Sequence, residues 1–291
     1  MVTRENIGIV GPANEIETVE KSVNKFKLVI VGGGKMGTAM LSGFISAELV
    51  RAEDVAVVEP DLKQIQVLQK QFKGLSVLDQ VVQGDTLILA VKPNIASEIL
   101  DSINNSECVF ERVISIMAGI SSDYIANRLA VKCAIVRSMP NTPSMVASGM
   151  IAITAGPNCD LSDLEYATKL LSVLGDVVVV DEDKMDAVTA VSGSGPAYLF
   201  YFTQVLIQAA IDQGLDPDLA YRLAVKTVVG AAHLMDTTGT DPRELAEAVT
   251  SKGGTTQAAL ESLSEDNFAG IVAKAVNAAS KRSKELGSTL K

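Results

Sequence analysis

The sequence has few of the residues on which several classes of protein depend. It contains a single histidine, His233, and three widely spaced cysteines, Cys108, Cys133 and Cys159, among 291 residues. Cysteines in this number and spacing form neither a zinc-ligand pattern nor a disulfide framework. We therefore expect no structural metal and no disulfide bridge, and we interpret the cysteines as small buried apolar residues.

Basic residues are also scarce, and long apolar runs are absent. Lys and Arg number 25 against 35 Asp and Glu, a net charge of -10, which argues against a nucleic-acid partner because phosphate backbones require a basic surface. No apolar run approaches the roughly 20 residues of a membrane-spanning helix. Glu5, Asn6 and Gly11 interrupt the first segment, so no signal peptide is expected. We predict a cytoplasmic protein without a membrane partner.

Apolar residues make up 47% of the chain, and their spacing changes along it. Up to residue 183, short apolar runs alternate with helical stretches, which predicts an α/β fold with a doubly wound parallel sheet. Strands are predicted at 26–31, 55–58, 86–91, 113–116, 134–137, 150–154 and 176–180, and helices at 36–49 and 61–73. Beyond residue 183 the chain is alanine-rich, with helices predicted at 196–213, 217–236, 242–249 and 266–285.

The length of the chain suits two domains. We predict an N-terminal arm over 1–25, a dinucleotide-binding domain over 26–183 and a helical domain over 184–291. The stretch Ile7–Gly11 resembles a strand and turn, but no glycine stands two residues after Gly11. We therefore assign it to the arm and not to a cofactor site.

A glycine-rich turn after the first predicted strand indicates a dinucleotide site. Its sequence is Gly32-Gly33-Gly34-Lys35-Met36-Gly37, and a G-x-G-x-x-G motif alone is weak support. Here the motif follows an apolar strand and opens a helix, whose N-terminus favours a pyrophosphate. The candidate cofactor-binding residues of this turn are Gly32, Gly34, Lys35, Met36 and Gly37.

The next predicted strand ends at Glu59, roughly 20 residues after the turn, where a ribose-binding carboxylate belongs. A carboxylate at this position hydrogen-bonds the ribose diol of NAD and repels the 2′-phosphate of NADP. The sequence thus predicts an NAD(P)H site in which Glu59 favours NADH. The alternative is a solvated acid at a strand end.

Residues suited to general acid–base catalysis are few. His233 lies in an alanine-rich helical stretch, where a packed or surface position is the favoured interpretation, and no lysine stands in a motif that marks it as a base. This favours a substrate that needs little proton transfer, such as a protonated C=N bond.

Two segments of small residues follow the sheet region. The segment 192–198 lies at the junction of the predicted domains and is either a ligand contact or a hinge with a helix cap. The segment 250–256 predicts a carboxylate-binding turn at a helix N-terminus, the alternative being a simple capped turn.

With these segments, the chain from about residue 26 to residue 286 resembles the pyrroline-5-carboxylate reductases, the last enzymes of proline biosynthesis. The markers, in order, are 32–37, Ala90–Pro93, Met139–Pro143, Asp186–Tyr198 and Val249–Thr256. The resemblance implies a Rossmann-type doubly wound parallel sheet followed by an all-helical dimerisation domain. It implies homodimers that often form larger rings, such as a decamer, and hydride transfer from NAD(P)H to the C=N bond of 1-pyrroline-5-carboxylate.

The resemblance also implies contacts with the cofactor. Lys92 and Ala118 are expected along it, and Pro196 near the nicotinamide. Two positions depart from the family: Lys252 replaces a common proline, and Glu59 stands where NADPH-preferring members often carry a small or basic residue. The second departure weakens the expectation of NADPH.

The implied substrate site lies in the second segment. Backbone amides at Thr255 and Thr256 are expected to hold the substrate carboxylate, with Ser251 and Gly254 in the same turn. The hydroxyl of Thr256, the candidate catalytic group, is expected to face the ring nitrogen, and Glu182 is a candidate neighbour of the iminium. The alternatives are a reductase of a related cyclic imine acid, such as a six-membered ring, and a non-catalytic NAD(P)-binding regulatory protein.

Overall fold

The computed structural model describes residues 26–288, so the predicted arm and its Ile7–Gly11 stretch lie outside the described residues. The strands are β1 (Phe26–Val31), β2 (Val55–Val58), β3 (Ser76–Leu78), β4 (Gly84–Leu89), β5 (Arg112–Ser115), β6 (Ala134–Met139), β7 (Gly149–Ala155) and β8 (Gly175–Val179). They form one sheet in the order β3-β2-β1-β4-β5-β6-β7-β8. The predicted strands are confirmed to within two residues at either end, and β3 was not predicted.

Helices alternate with the strands and then replace them. Between the strands lie α1 (Lys35–Ser46), α2 (Leu62–Gln71), α3 (Ala96–Asn105), α4 (Ser122–Arg128) and α5 (Leu161–Leu171). The helical part contains α6 (Met185–Val188), α7 (Gly195–Asp212), α8 (Pro217–Thr238), α9 (Pro242–Ala248), α10 (Thr255–Glu265) and α11 (Phe268–Ser288). Within residues 26–288, none of the helices is both long and apolar enough to cross a membrane.

The sheet is covered on both faces, which explains its continuous apolar strands. In β1, Leu28 and Ile30 face a core shared with α1, α2 and α5. Val29 and Val31 face a second core shared with α3 and α4. The prediction of a doubly wound sheet, with helices packed on both faces, is therefore confirmed.

The prediction of an all-parallel sheet is wrong at one side of the sheet, where β7 and β8 lie. The strands β1 to β6 are parallel, but β7 runs antiparallel to β6, and β8 is parallel to β7. Residues 140–148 join β6 to β7, and this connection is shorter than the dozen or more residues of a parallel crossover. The chain therefore turns back on itself at this edge.

Candidate active site

The glycine-rich turn lies where the strand order of the sheet reverses. The central strand β1 has β2 on one side and β4 on the other, and ligands of open α/β sheets bind in the crevice at such a point. The N–H of Gly32 donates to Val58 O at 2.9 Å. With φ at 106°, a Cβ at Gly32 would lie 2.5 Å from Ala90 O, so only glycine suits this position.

The first turn of α1 is free to bind an anion. Its N-cap residue is Gly34, which provides no side-chain cap, and a Cβ at Gly34 would meet no protein atom within 4 Å. Five other helices are capped by a side chain: Asp61, Ser121, Asp160, Asp216 and Asp241. The uncapped amides and the open space fit a pyrophosphate group, as the motif predicts.

Glu59 lies against this turn, as expected from its position at the end of β2. Its Oε2 accepts a hydrogen bond from the N–H of Gly33 at 2.9 Å, and its Oε1 accepts one from the N–H of Asp61 at 2.9 Å. Both carboxylate oxygens are thus held by backbone amides, and each has a lone pair left for a ligand. The geometry is compatible with a ribose diol.

Two residues that the sequence did not single out complete the turn. The hydroxyl of Thr38 donates to Gly33 O at 2.8 Å, and Gln64 Nε2 donates to the same oxygen at 2.6 Å. The Gly33 peptide is therefore held at its oxygen by α1 and α2 and at its nitrogen by Glu59. Gln64 belongs to no sequence motif. Its contact joins α2 to a turn that is distant along the chain, so the sequence alone does not reveal it.

Lys92 and Ala118 lie at the carboxyl end of the parallel strands, as does the turn. Lys92 is an exposed residue that follows β4, and half-buried Ala118 follows β5. The structure thus brings both close to the carboxyl end of β1, where a cofactor bound at Gly32 would extend. Their contacts with the cofactor stay predictions.

The loop after β5 touches the C-terminal helix. Gly119 has φ at 76°, and a Cβ there would lie 2.5 Å from Ser283 O of α11. A Cβ at Gly287 would overlap Gly119 O. The hydroxyl of Ser283 also donates to Asp186 of α6 at 2.6 Å, so α11 packs on the loop that contains Ala118.

Pro196 lies at the start of α7, as predicted, beside an open cleft. The cleft has a volume of about 950 Å³. It is lined mainly by apolar side chains of α7 and α11, together with Asn141 and Ser192. Pro196 is thus placed where a flat apolar ring has room.

The predicted carboxylate turn is found at the N-terminus of α10. The N-cap residue is Gly254, again without a side-chain cap, and its N–H donates to Ser251 O at 3.0 Å. Thr255 is exposed and Thr256 half-buried. The first-turn amides are therefore free of a capping side chain, as an anion site requires.

The substrate turn and the cleft are separate in the single chain. α10 packs on α11, and the described residues that line the cleft include neither Thr255 nor Thr256. The structure thus places the two predicted sites without bringing them together.

Glu182 has a partner inside the protein. Its Oε1 accepts a hydrogen bond from Arg137 Nη1 at 2.6 Å, and its Oε2 accepts one from the Ser122 hydroxyl at 3.1 Å. Arg137 is 5% exposed, so a partly buried ion pair joins β6, and a hydrogen bond joins α4, to the segment leading into α6. The role of Glu182 beside an iminium stays a prediction.

The single histidine and the three cysteines are not part of these sites. His233 is exposed on α8, next to Thr237. The cysteines are free but only half-buried, which corrects the expectation that they are buried. Burial raises the pKa of Cys133 to about 11. Over residues 26–288, no cluster of His, Cys, Asp and Glu is suited to a metal ion.

Comparison with known proteins finds a family model for each half of the chain and relatives that match nearly all of it. Residues 182–286 match the model for pyrroline-5-carboxylate reductase dimerisation, and residues 27–119 match that for coenzyme F420-dependent NADP oxidoreductase. The pyrroline-5-carboxylate reductase of Corynebacterium melassecola is 38% identical over 269 residues, covering 89% of this chain and 98% of that protein. The chain belongs to the pyrroline-5-carboxylate reductase family.

Other members of the family support the same assignment. The reductase of Methanosarcina acetivorans is 39% identical over 90% of this chain and 98% of that protein. The crystal structure from Plasmodium falciparum, with NADP bound, has a TM-score of 0.78 and 28% identity, over 91% of this chain and 99% of that one. The structure from Coxiella burnetii has a TM-score of 0.80 and 30% identity, over 90% and 98%.

Family membership confirms the Rossmann-type fold and an NAD(P)H-dependent oxidoreductase. The two family models together span the glycine turn, Glu182, Pro196 and the turn at Thr255. The sequence-based assignment of the family is therefore confirmed, while the role of each site residue stays a prediction.

Proposed function

We propose that this protein reduces 1-pyrroline-5-carboxylate to L-proline with NAD(P)H, as the last step of proline biosynthesis. The observation that carries the proposal is the 38% identity to a pyrroline-5-carboxylate reductase over 89% of the chain. The two helix starts with glycine N-caps support it, because the reaction requires one site for a pyrophosphate and one for a carboxylate.

The residues of the sheet edge would hold the cofactor. The amides at Lys35, Met36 and Gly37 would bind the pyrophosphate, since Gly34 leaves open space in front of them. Lys92 would contribute a positive charge beside the phosphates, and Ala118 would contact the nicotinamide half. When bound there, the nicotinamide supplies the hydride.

The turn before α10 would hold the substrate. The amides of Thr255 and Thr256 point out of an uncapped helix start and would bind the carboxylate, with Ser251 and Gly254 shaping the turn. The Thr256 hydroxyl would then hydrogen-bond the ring nitrogen. An iminium carbon is electrophilic by itself, so positioning supplies most of the catalysis.

A direct assay tests this function. Purified protein, 1-pyrroline-5-carboxylate and either NADH or NADPH should give loss of reduced cofactor together with formation of proline. A competing six-membered cyclic imine acid should react with a kcat/KM that is lower by roughly 10-fold to 200-fold, because one additional methylene group in a binding pocket has an effect of this size. If neither NADH nor NADPH is oxidised, the proposed function is wrong. A higher kcat/KM for the six-membered imine acid would mean that this compound is the substrate instead.

We also propose that the protein prefers NADH, because of Glu59. Its carboxylate is fixed by the amides of Gly33 and Asp61, so it cannot swing away from a 2′-phosphate without losing two hydrogen bonds. The Plasmodium falciparum relative was crystallised with NADP bound, so the proposed preference distinguishes this chain from that protein.

Replacement of Glu59 tests the preference. We expect Glu59→Ser and Glu59→Gln each to shift the kcat/KM ratio of NADPH to NADH upward by about tenfold, since a charge repulsion of about 1.4 kcal/mol is removed. Glu98→Ser, at an exposed acid on α3, controls for the change in net charge. An unchanged ratio in both Glu59 variants would remove this residue as the discriminator.

The assembly that we propose is a cytoplasmic homodimer, which can associate further into a decamer. The match of residues 182–286 to a dimerisation model supports the dimer, as does the exposure of many large apolar residues of α7 and α8. Dimerisation through α7 would place a second chain beside the cleft, because α7 lines it.

A further inference from the structure

The cleft beside Pro196 contains two polar side chains for which the proposed function gives no role. Asn141 and Ser192 both line it, among side chains that are mainly apolar. An apolar cleft with a few convergent polar groups is typical of a cofactor site, where the polar groups fix orientation. The contacts of these two residues show which hydrogen bonds they offer.

The orientation of the Asn141 amide follows from its two neighbours. The backbone N–H of Met150 in β7 donates to Asn141 Oδ1 at 3.0 Å. Since a backbone N–H requires an acceptor, this contact fixes which end of the amide is oxygen. The nitrogen, Nδ2, therefore faces Ser192 and donates to its Oγ at 3.2 Å.

The hydroxyl proton of Ser192 is available for a further hydrogen bond. Its Oγ accepts from Asn141, so the hydroxyl O–H must point to a different acceptor. Within residues 26–288, no acceptor takes this proton in a hydrogen bond. Accepting one hydrogen bond also makes a hydroxyl a better donor, because the bonds of a chain polarise one another.

The local backbone is also unusual at this point. Residues 189–193 form a π turn between α6 and α7, closed by the hydrogen bond from Ser194 N–H to Thr189 O at 2.8 Å. Such turns occur mainly as single insertions and are frequent at functional sites.

Tyr198 is the other hydroxyl-bearing residue of segment 192–198 that lines the cleft, and its hydroxyl is already used. The Tyr198 hydroxyl donates to Ala190 O at 3.0 Å, so its proton is directed to the backbone of the π turn. Ser192 is therefore the hydroxyl of this segment that can donate into the cleft.

We propose that the Ser192 hydroxyl donates a hydrogen bond to the carboxamide oxygen of the nicotinamide, and that Asn141 is its positioning residue. The inference rests on the proposed function and on the expectation, from the family resemblance, that the nicotinamide lies near Pro196. Asn141 follows β6 at the same edge of the sheet as Ala118, whereas the turn at Thr255 lies outside the cleft. The cofactor carboxamide, and not the substrate carboxylate, is therefore the acceptor.

Binding measurements without substrate test this assignment. By calorimetry, we expect Ser192→Ala to raise the Kd of NADH by about fivefold to tenfold, the effect of one neutral hydrogen bond. The Kd of ADP-ribose, which lacks the nicotinamide, should change by less than about twofold. Ser194→Ala removes a hydroxyl from the same segment without touching the contact with Asn141, and it should leave both Kd values unchanged.

Asn141→Asp separates positioning from simple packing. Its carboxylate still accepts from the N–H of Met150 but cannot donate to Ser192, so the Ser192 proton turns to the carboxylate and leaves the cleft. We expect the same selective rise in the Kd of NADH, with Tm close to that of the unchanged protein.

Two results would overturn the proposal. If Ser192→Ala weakens ADP-ribose as much as NADH, the residue acts through the fold. If it leaves the Kd of NADH unchanged and raises only the KM of the imine, the hydroxyl binds substrate. Both measurements of binding are independent of turnover, so they remain informative even if the proposed reaction fails.

Discussion

Gly34 and Gly37 belong to one turn but have different surroundings. A Cβ at Gly34 would meet no protein atom within 4 Å, whereas a Cβ at Gly37 would overlap Gly32 O. Gly34 also has φ at -66° and ψ at -169°, which alanine adopts without strain. We expect Gly34→Ala to keep its Tm and to bind NADH about tenfold more weakly, because the methyl group would occupy the space in front of the pyrophosphate-binding amides.

Gly37→Ala is the matched counterpart of this change. Overpacking at a close backbone approach costs roughly 1–3 kcal/mol or more, so its free energy of unfolding should fall measurably. Urea denaturation and a fluorescence titration with NADH distinguish the two variants. Normal NADH affinity in Gly34→Ala would show that the pyrophosphate lies elsewhere.

At the scale of single residues, the sequence was informative where a residue type has one characteristic structural role. Glycines after an apolar strand and an acid after the next strand predicted the positions of Gly32 and Glu59. The supports of that turn were not predictable, because Thr38 and Gln64 are ordinary helix residues that belong to no motif, and the contact of Gln64 depends on how α2 lies against the turn. The partner of Glu182 was missed for a similar reason, since Arg137 lies inside an apolar strand.

The C-terminal helix provides a prediction at the scale of elements. Gly287 of α11 lies so close to the loop after β5 that a Cβ would overlap Gly119 O. We expect Gly287→Ala to displace this loop, lowering the free energy of unfolding by about 1–3 kcal/mol and raising the Kd of NADH. The effect on NADH arises because Ala118 precedes Gly119 in the same loop.

A neighbouring residue of α11 serves as the control for Gly287→Ala. Lys284 is exposed one turn earlier, and Lys284→Ala should change neither thermal unfolding nor a calorimetric Kd for NADH. If Gly287→Ala lowers Tm but leaves that Kd unchanged, the helix supports the fold without shaping the cofactor site.

Strand direction was the element-scale property that apolar patterning did not reveal. The run in β7 is equally apolar in either direction, and its buried face is the same. The short connection 140–148 contained the missing information, because only an antiparallel return fits it. β3 was missed because three residues at the edge of a sheet give too short a pattern.

The helical part leaves a large apolar surface on the single chain. A groove of about 730 Å³ between α7 and α8 is lined by Phe200, Tyr201, Tyr221, Val225 and Val229. Exposed apolar patches of this kind mark interfaces, and this region matches a dimerisation model. The family resemblance implied a dimerisation domain, but not which residues face the partner chain, because α7 is apolar on most of its circumference.

Val229 allows this interface to be tested. It is 55% exposed in the single chain, and a carboxylate buried there by a partner chain would be unpaired. We expect Val229→Asp to weaken the dimer by roughly 3 kcal/mol or more, about 100-fold in its dissociation constant. Sedimentation at micromolar concentration should then show monomer. Val67→Asp, at a valine of α2 that is 50% exposed, is the matched control and should keep the native mass. A Val229→Asp protein with that same mass would place the interface on another surface of the helices.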